Sequence, residues 1–164
     1  MTHLPRLGRA LRALLHTRRT AALGTLDVQD GAPFVSMTPY AIDTAQQRLV
    51  IHVSGLAAHT ANMAVHPRVS VLVAAGEAEG APVHDLPRVT LEGVAHTPVP
   101  GSPGHASARA AYLARFPDAE MMTALPDFRF VTIAVTGARQ VAGFGSARSV
   151  GPEELAQILS GDDA

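Results

Sequence analysis

The stretch 48-RLVIHVSGLAAHTANMAVHPRVSVLVAA-75 decides how the rest of the chain is read. Leu49 to Val53 is a β-rich apolar run that stops at Ser54-Gly55. From about Ala57 to Val65 the pattern becomes helical. His66-Pro67 ends that helix, because proline has no N–H to donate and pushes the residue before it out of the α region. A second apolar run, Val69 to Ala75, follows. Strand, polar turn, helix and strand together can offer unpaired first-turn N–H groups to an anion. Ser54, His59 and Thr60 sit where a phosphate could be held. The residues alone support equally well a Thr60 that caps the helix and a His59 on the surface.

Outward from this stretch the chain punctuates itself. Leu4, Leu7, Leu11, Leu14 and Leu15 form a helical stripe with arginines mostly off it, which predicts an amphipathic helix over 5–18. Its arginines read as a solvated face. Thr20–Leu26 and Pro33–Ala41 read as two strands around an Asp30-Gly31 turn. In the second, Phe34, Ser36, Thr38 and Tyr40 share one face and Val35, Met37 and Ala41 the other. Arg88–Thr97 is a further strand, and Gly93 inside it signals a bulge or a close backbone approach. His105–Phe116 reads as a helix, and Asp118 as the cap of a short one after it. Phe128–Val135 and Arg139–Ala142 read as the last strands, Gly143–Gly145 as a turn needing positive φ, and 152–160 as a closing helix with Pro152 in its first turn. Strands close in sequence and joined by short turns predict one mainly β domain over 1–164. The expected form is a six- to seven-stranded antiparallel barrel or sandwich with peripheral helices.

Composition narrows the chemistry. All thirteen basic residues are arginine, so lysine-based chemistry is excluded. There is no cysteine, which removes thiolate nucleophiles, iron–sulfur clusters and cysteine zinc sites. The eight histidines show no H-x-H or H-x-x-x-H spacing, so no metal site is expected. The net charge of −1 and the lack of a basic run argue against a nucleic-acid partner. No apolar run nears the ~18 residues of a membrane span. A cytoplasmic protein is the expectation.

Six segments together resemble one family. They are HVSGLAAHTANMAVHPRVSVLV (52–73), PFVSMTPYA (33–41), PRVTLEGVA (87–95), AYLARFPDAEMM (111–122), PDFRFVTI (126–133) and VAGFGSA (141–147). In this order they look like the FMN-binding split-barrel family, the pyridoxamine 5′-phosphate oxidase-like proteins, and the last three resemble its haem-utilisation branch. The likeness runs from about Leu14 to Ala147.

The resemblance implies an obligate homodimer with two FMN sites at its interface. Ser36, Met37 and Thr38 would line the isoalloxazine ring. His52, Val53 and Ser54 would follow the ribityl chain, and His59 and Thr60 would meet the phosphate. Arg88 would reach the flavin of the partner subunit. The chain departs from the family where Arg or Lys is common, since Ala58 and His59 stand there. It has no tryptophan and no histidine after His105, so oxidation of pyridoxamine phosphate is not expected. The implied activity is an FMN-dependent oxidoreductase acting with a nicotinamide cofactor or a small oxidisable substrate, with no protein acid or base identified. The alternatives are a haem-binding or haem-utilising barrel without flavin turnover, and a ligand-free structural dimer.

Overall fold

The structure, a computed structural model, describes residues 4–161. Along the chain come α1 (Arg6–Thr17), β1 (Thr20–Leu26), β2 (Pro33–Pro39), β3 (Ala41–Asp43), β4 (Arg48–Ser54), α2 (Ala58–Val65), β5 (Arg68–Ala74) and β6 (Arg88–His96). They are followed by α3 (Pro103–Arg115), α4 (Glu120–Thr123), β7 (Phe128–Val141), β8 (Ala147–Val150) and α5 (Pro152–Leu159). The strands form one antiparallel sheet in the order β2-β1-β5-β6-β7-β4-β3, with β8 on β7. The sheet curls into a half-barrel with the helices outside it, the mainly β architecture that the sequence predicts.

β4 holds the fold and the site together because it is buried on both faces. Leu49, Ile51 and Val53 join the main core inside the curl. On the other face Val50 packs with Ala108 and Tyr112 of α3 and with Phe130. Burial on two faces is why this strand reads as a near-continuous apolar run while β5 and β6 alternate. Each such aliphatic side chain taken from water contributes about 1.5–3 kcal/mol.

The terminal helices close the curl. Leu11 and Leu15 of α1 meet Leu155, Ile158 and Leu159 of α5 in the core. A polar chain fastens them to the sheet. Arg148 grips both carboxylate oxygens of Glu154 at 2.7 and 2.8 Å, its Nε donates to Gln140 Oε1 at 2.8 Å, and Gln140 Nε2 donates to the Leu7 carbonyl at 2.9 Å. Tyr40, fully buried, donates its hydroxyl to the Leu15 carbonyl at 2.7 Å, and burial pushes its pKa up to about 12.

Several boundaries differ from the sequence reading. The second strand ends at Pro39, which offers the ladder no N–H, and the chain then changes partners: β2 pairs with β1, but β3 pairs with β4. Phe128–Val141 is one strand of 14 residues, not two. The glycine-rich exit contains β8, because Gly143 (φ 132) and Gly145 (φ 77) turn the chain back onto β7. Asp118 caps nothing: the segment after α3 is a 3₁₀ turn, Pro117–Ala119, running into α4 without a side-chain cap.

Candidate functional site

The turn between β4 and α2 is a closed hydrogen-bonded knot. Gly55 N donates to the Asp127 carbonyl at 2.6 Å, and Ala57 N to the Ser54 carbonyl at 3.2 Å. The Thr60 hydroxyl also donates to the Ser54 carbonyl, at 2.6 Å. The Ser54 hydroxyl accepts from Leu56 N at 3.1 Å and donates to Asp127 Oδ2 at 3.0 Å. Thr60 therefore staples the helix to the end of the strand and does not cap it. The N-cap position is Ala57, and no side chain caps the first turn. That leaves the positive end of α2 open to an anion.

His59 faces β2. Its Nδ1 lies 2.9 Å from Ser36 Oγ. Burial pulls its pKa below the ordinary imidazole value of 6.5, so near neutral pH the ring is uncharged. With Nδ1 engaged, Nε2 is left for a ligand. Thr38 points inward beside Ser36, 3% exposed, with its hydroxyl on the Pro39 carbonyl. Met37 points outward, 68% exposed.

Two predicted contacts lie deeper than expected. His52 sits in an aromatic box: its ring centroid is 4.6 Å from that of Phe130, 5.2 Å from Phe128 in a stacked geometry, and 5.7 Å from Tyr112. Its Nδ1 is buried without a partner, and desolvation lowers its pKa. Val53 turns its side chain into the core, so only its backbone could touch a ligand. Arg88 is not brought to this group within one chain. It opens β6 opposite Val141, at the other end of β7 from Phe128, the partner of Ser54. Its guanidinium donates to the Leu86 carbonyl at 2.9 Å. One copy thus assembles Ser36 with His59, and Ser54 with Thr60.

Two residues at the turn went unread in the sequence. Asp127 takes the Ser54 hydroxyl, and Arg129 lays its guanidinium against Gly55, where an added Cβ would lie 2.7 Å from Nη2. Both arrive through the pairing of β4 with β7, across more than 70 residues of chain, and no local pattern announces them.

Over β2, β1 and β5 no described element packs on the outer face of the sheet. Met37, Ala22 and Leu72 stand in register across β2, β1 and β5, as do Val35, Gly24 and Ser70. Val35 and Met37 are about two-thirds exposed, Leu72 and Val94 less so, and a groove of about 560 Å³ is lined by Val35, Leu72 and Val94. Among the described residues no cluster of three metal-ligating side chains occurs, and no helix is long and apolar enough to cross a membrane.

Comparison with known proteins gives a family-model match, described as pyridoxamine 5′-phosphate oxidase, over residues 7–142. The haem oxygenase HutZ of Vibrio cholerae is 27% identical over 155 residues, 94% of this chain and 86% of that one. A solved structure of a haem-binding protein from Mycobacterium smegmatis is 31% identical, with a TM-score of 0.83. It is matched over 95% of this chain but only 62% of its own length. A crystal structure of Vibrio cholerae HutZ, described as a haem storage protein, is 26% identical with a TM-score of 0.70, over 84% of this chain and 94% of that one.

Proposed function

The chain belongs to the pyridoxamine 5′-phosphate oxidase family, and from that premise we propose that it is a haem-binding or haem-utilising member, working as a homodimer that holds its ligand between two copies. The observation that carries this reading is the likeness, at 26–31% identity over most of the chain, to proteins described as binding, storing or degrading haem.

The residues present fit such a ligand. His59 is an uncharged, half-buried imidazole with Nδ1 fixed by Ser36, the arrangement in which the remaining ring nitrogen serves an iron. At the turn Leu56 is 90% exposed, and Met121 of α4 and Leu125 after it are exposed too. These apolar side chains would lie against a flat macrocycle. A second copy would cover the exposed Met37 and the groove of Val35 and Leu72, and would bring Arg88 to the ligand across the interface. Iron in such a group supplies oxygen or electron chemistry; the chain's part is to bind, orient and exclude water.

A flavin is the second reading, favoured by the open positive end of α2. Its phosphate would meet His59 and Thr60, with Ser36 and Thr38 near the ring. Titration with haemin and with FMN separates the two. The haem reading expects a Soret band that saturates at a fixed ratio per chain and is lost or shifted in His59→Ala, with FMN fluorescence unquenched. Quenching of FMN without a haem band would replace the haem reading with the flavin one. Silence toward both would leave a structural dimer.

A further inference from the structure

The flank of α2 that faces away from His59 closes a second cavity. It encloses about 210 Å³ between α2, the end of β6 and the start of β7, and its lining includes Thr60, Met63, His96, Thr97, Arg129 and Val131. His59 and Asn62 face the other way, toward Ser36 of β2 and Thr25 of β1. The floor is apolar, since Met63 and Val131 belong to the core. The rim is polar and contains no carboxylate.

Arg129 gives this cavity its character. It lies opposite Val53, whose side chain is in the core, so its own side chain leaves β7 on the core side of the sheet and emerges at the end of the half-barrel. Among the described residues it makes no ion pair and no hydrogen bond. The neighbouring backbone is cut away for it: a Cβ at Gly55 would come within 2.7 Å of Nη2. The Thr60 hydroxyl is already given to the Ser54 carbonyl, so the guanidinium is the principal donor here. A planar guanidinium with no ion-pair partner among the described residues, beside an apolar floor, matches an oxyanion in shape and charge.

We propose that this cavity binds a small organic acid, a carboxylate or phosphate carried on a short apolar body. The anionic head lies on Arg129, with Thr97 and His96 at the rim, and the body lies against Met63 and Val131. The site borders the turn and shares Thr60 with the flavin reading, but its anion contact is Arg129 and not His59.

The test is calorimetric titration of the purified full chain, without added haem or FMN, using propionate in one arm and inorganic phosphate in the other. Saturable binding of at least one probe is expected, weakened tenfold or more in Arg129→Gln and severalfold in Thr97→Val. The exposed Arg109→Gln serves as the control for loss of a surface arginine. Propionate binding alone identifies a carboxylate site, and binding of both an oxyanion site; either supports the proposal. Arg129 is exposed, so its loss is not expected to unfold the chain, and a melting curve for each variant verifies this. No saturable binding in either arm overturns the site, as does binding indifferent to Arg129. Binding lost in His59→Ala and retained in Arg129→Gln also overturns it, because the anion would then sit on the turn.

Discussion

His52 and His59 are both held below the ordinary imidazole pKa by desolvation. The sign of the consequence is fixed. Folding favours the neutral rings, so their contribution to stability is present above pH 6.5 and is lost as pH falls from there through the folded values. Thermal melts between pH 7.5 and 5 should show the melting temperature falling with acidity. His52→Phe, which keeps a flat ring in the aromatic box and removes the buried unpartnered Nδ1, should flatten that slope. An unchanged slope would mean that His52 does not titrate in this window. At this scale the sequence was a partial guide. Ser36, His59 and Thr60 stood out by residue type and position, and the structure places Ser36 on His59. What could not be read was direction. Whether Val53 points into the core or toward a ligand depends on which face of β4 meets the curl, and that face is set by strands far away in the chain.

Two joints between elements make checkable claims. Gly93 marks the bulge where β6 slips its register against β7, and a Cβ there would meet Ile133 Cγ2 at 2.6 Å and the Ala134 carbonyl at 2.8 Å. Gly93→Ala should cost about 2 kcal/mol or more, as overpacking against backbone does, read as a lower urea midpoint. The other joint is the Glu154–Arg148–Gln140–Leu7 chain. Arg148→Ala should cost about 1–2 kcal/mol, because the pair is bidentate and partly shielded. Gly8→Ala would place a Cβ 2.5 Å from Glu154 Oε1. The helix gain of up to about 1 kcal/mol is then offset by displacement of that carboxylate. The same change should become stabilising once Arg148 is alanine and Glu154 is free to move, a coupling that a double-mutant cycle measures. Gly93 was legible from the sequence because a glycine within an alternating strand has few other reasons to be there. The continuity of β7 was not. Thr136-Gly137 reads locally as a break, yet β7 runs on because β6 pairs with it on both sides of the bulge and β8 supports its end. β8 itself is four residues long, too short for alternation to register.

For the whole molecule the decisive feature is the uncovered face of β1, β2 and β5. The small residues Ala22, Gly24 and Ser70 leave a groove that Val35 and Leu72 flank, and Met37 stands exposed on the same face. On the proposed dimer and haem site, Val35→Arg and Met37→Glu should each yield a monomer by light scattering and should weaken haem binding with it, although neither residue faces the turn. A dimer that survives both changes would place the interface elsewhere. The fold class was legible early, since short turns between neighbouring β-rich runs leave little room for crossover helices. The expectation of a second copy rests on family likeness alone.

The double burial of β4 also bears on how this protein can change over time. Five consecutive positions, Leu49 to Val53, are pressed between two cores, so almost any replacement there disturbs packing before it alters recognition. Novelty in what is bound must therefore arise at the turn, along α2 or from β2. A saturation library should show that boundary as a step in tolerance, intolerant through Val53, permissive at Leu56, Ala58 and Ala61, and intolerant again at the buried Thr60, Asn62 and Met63 of α2.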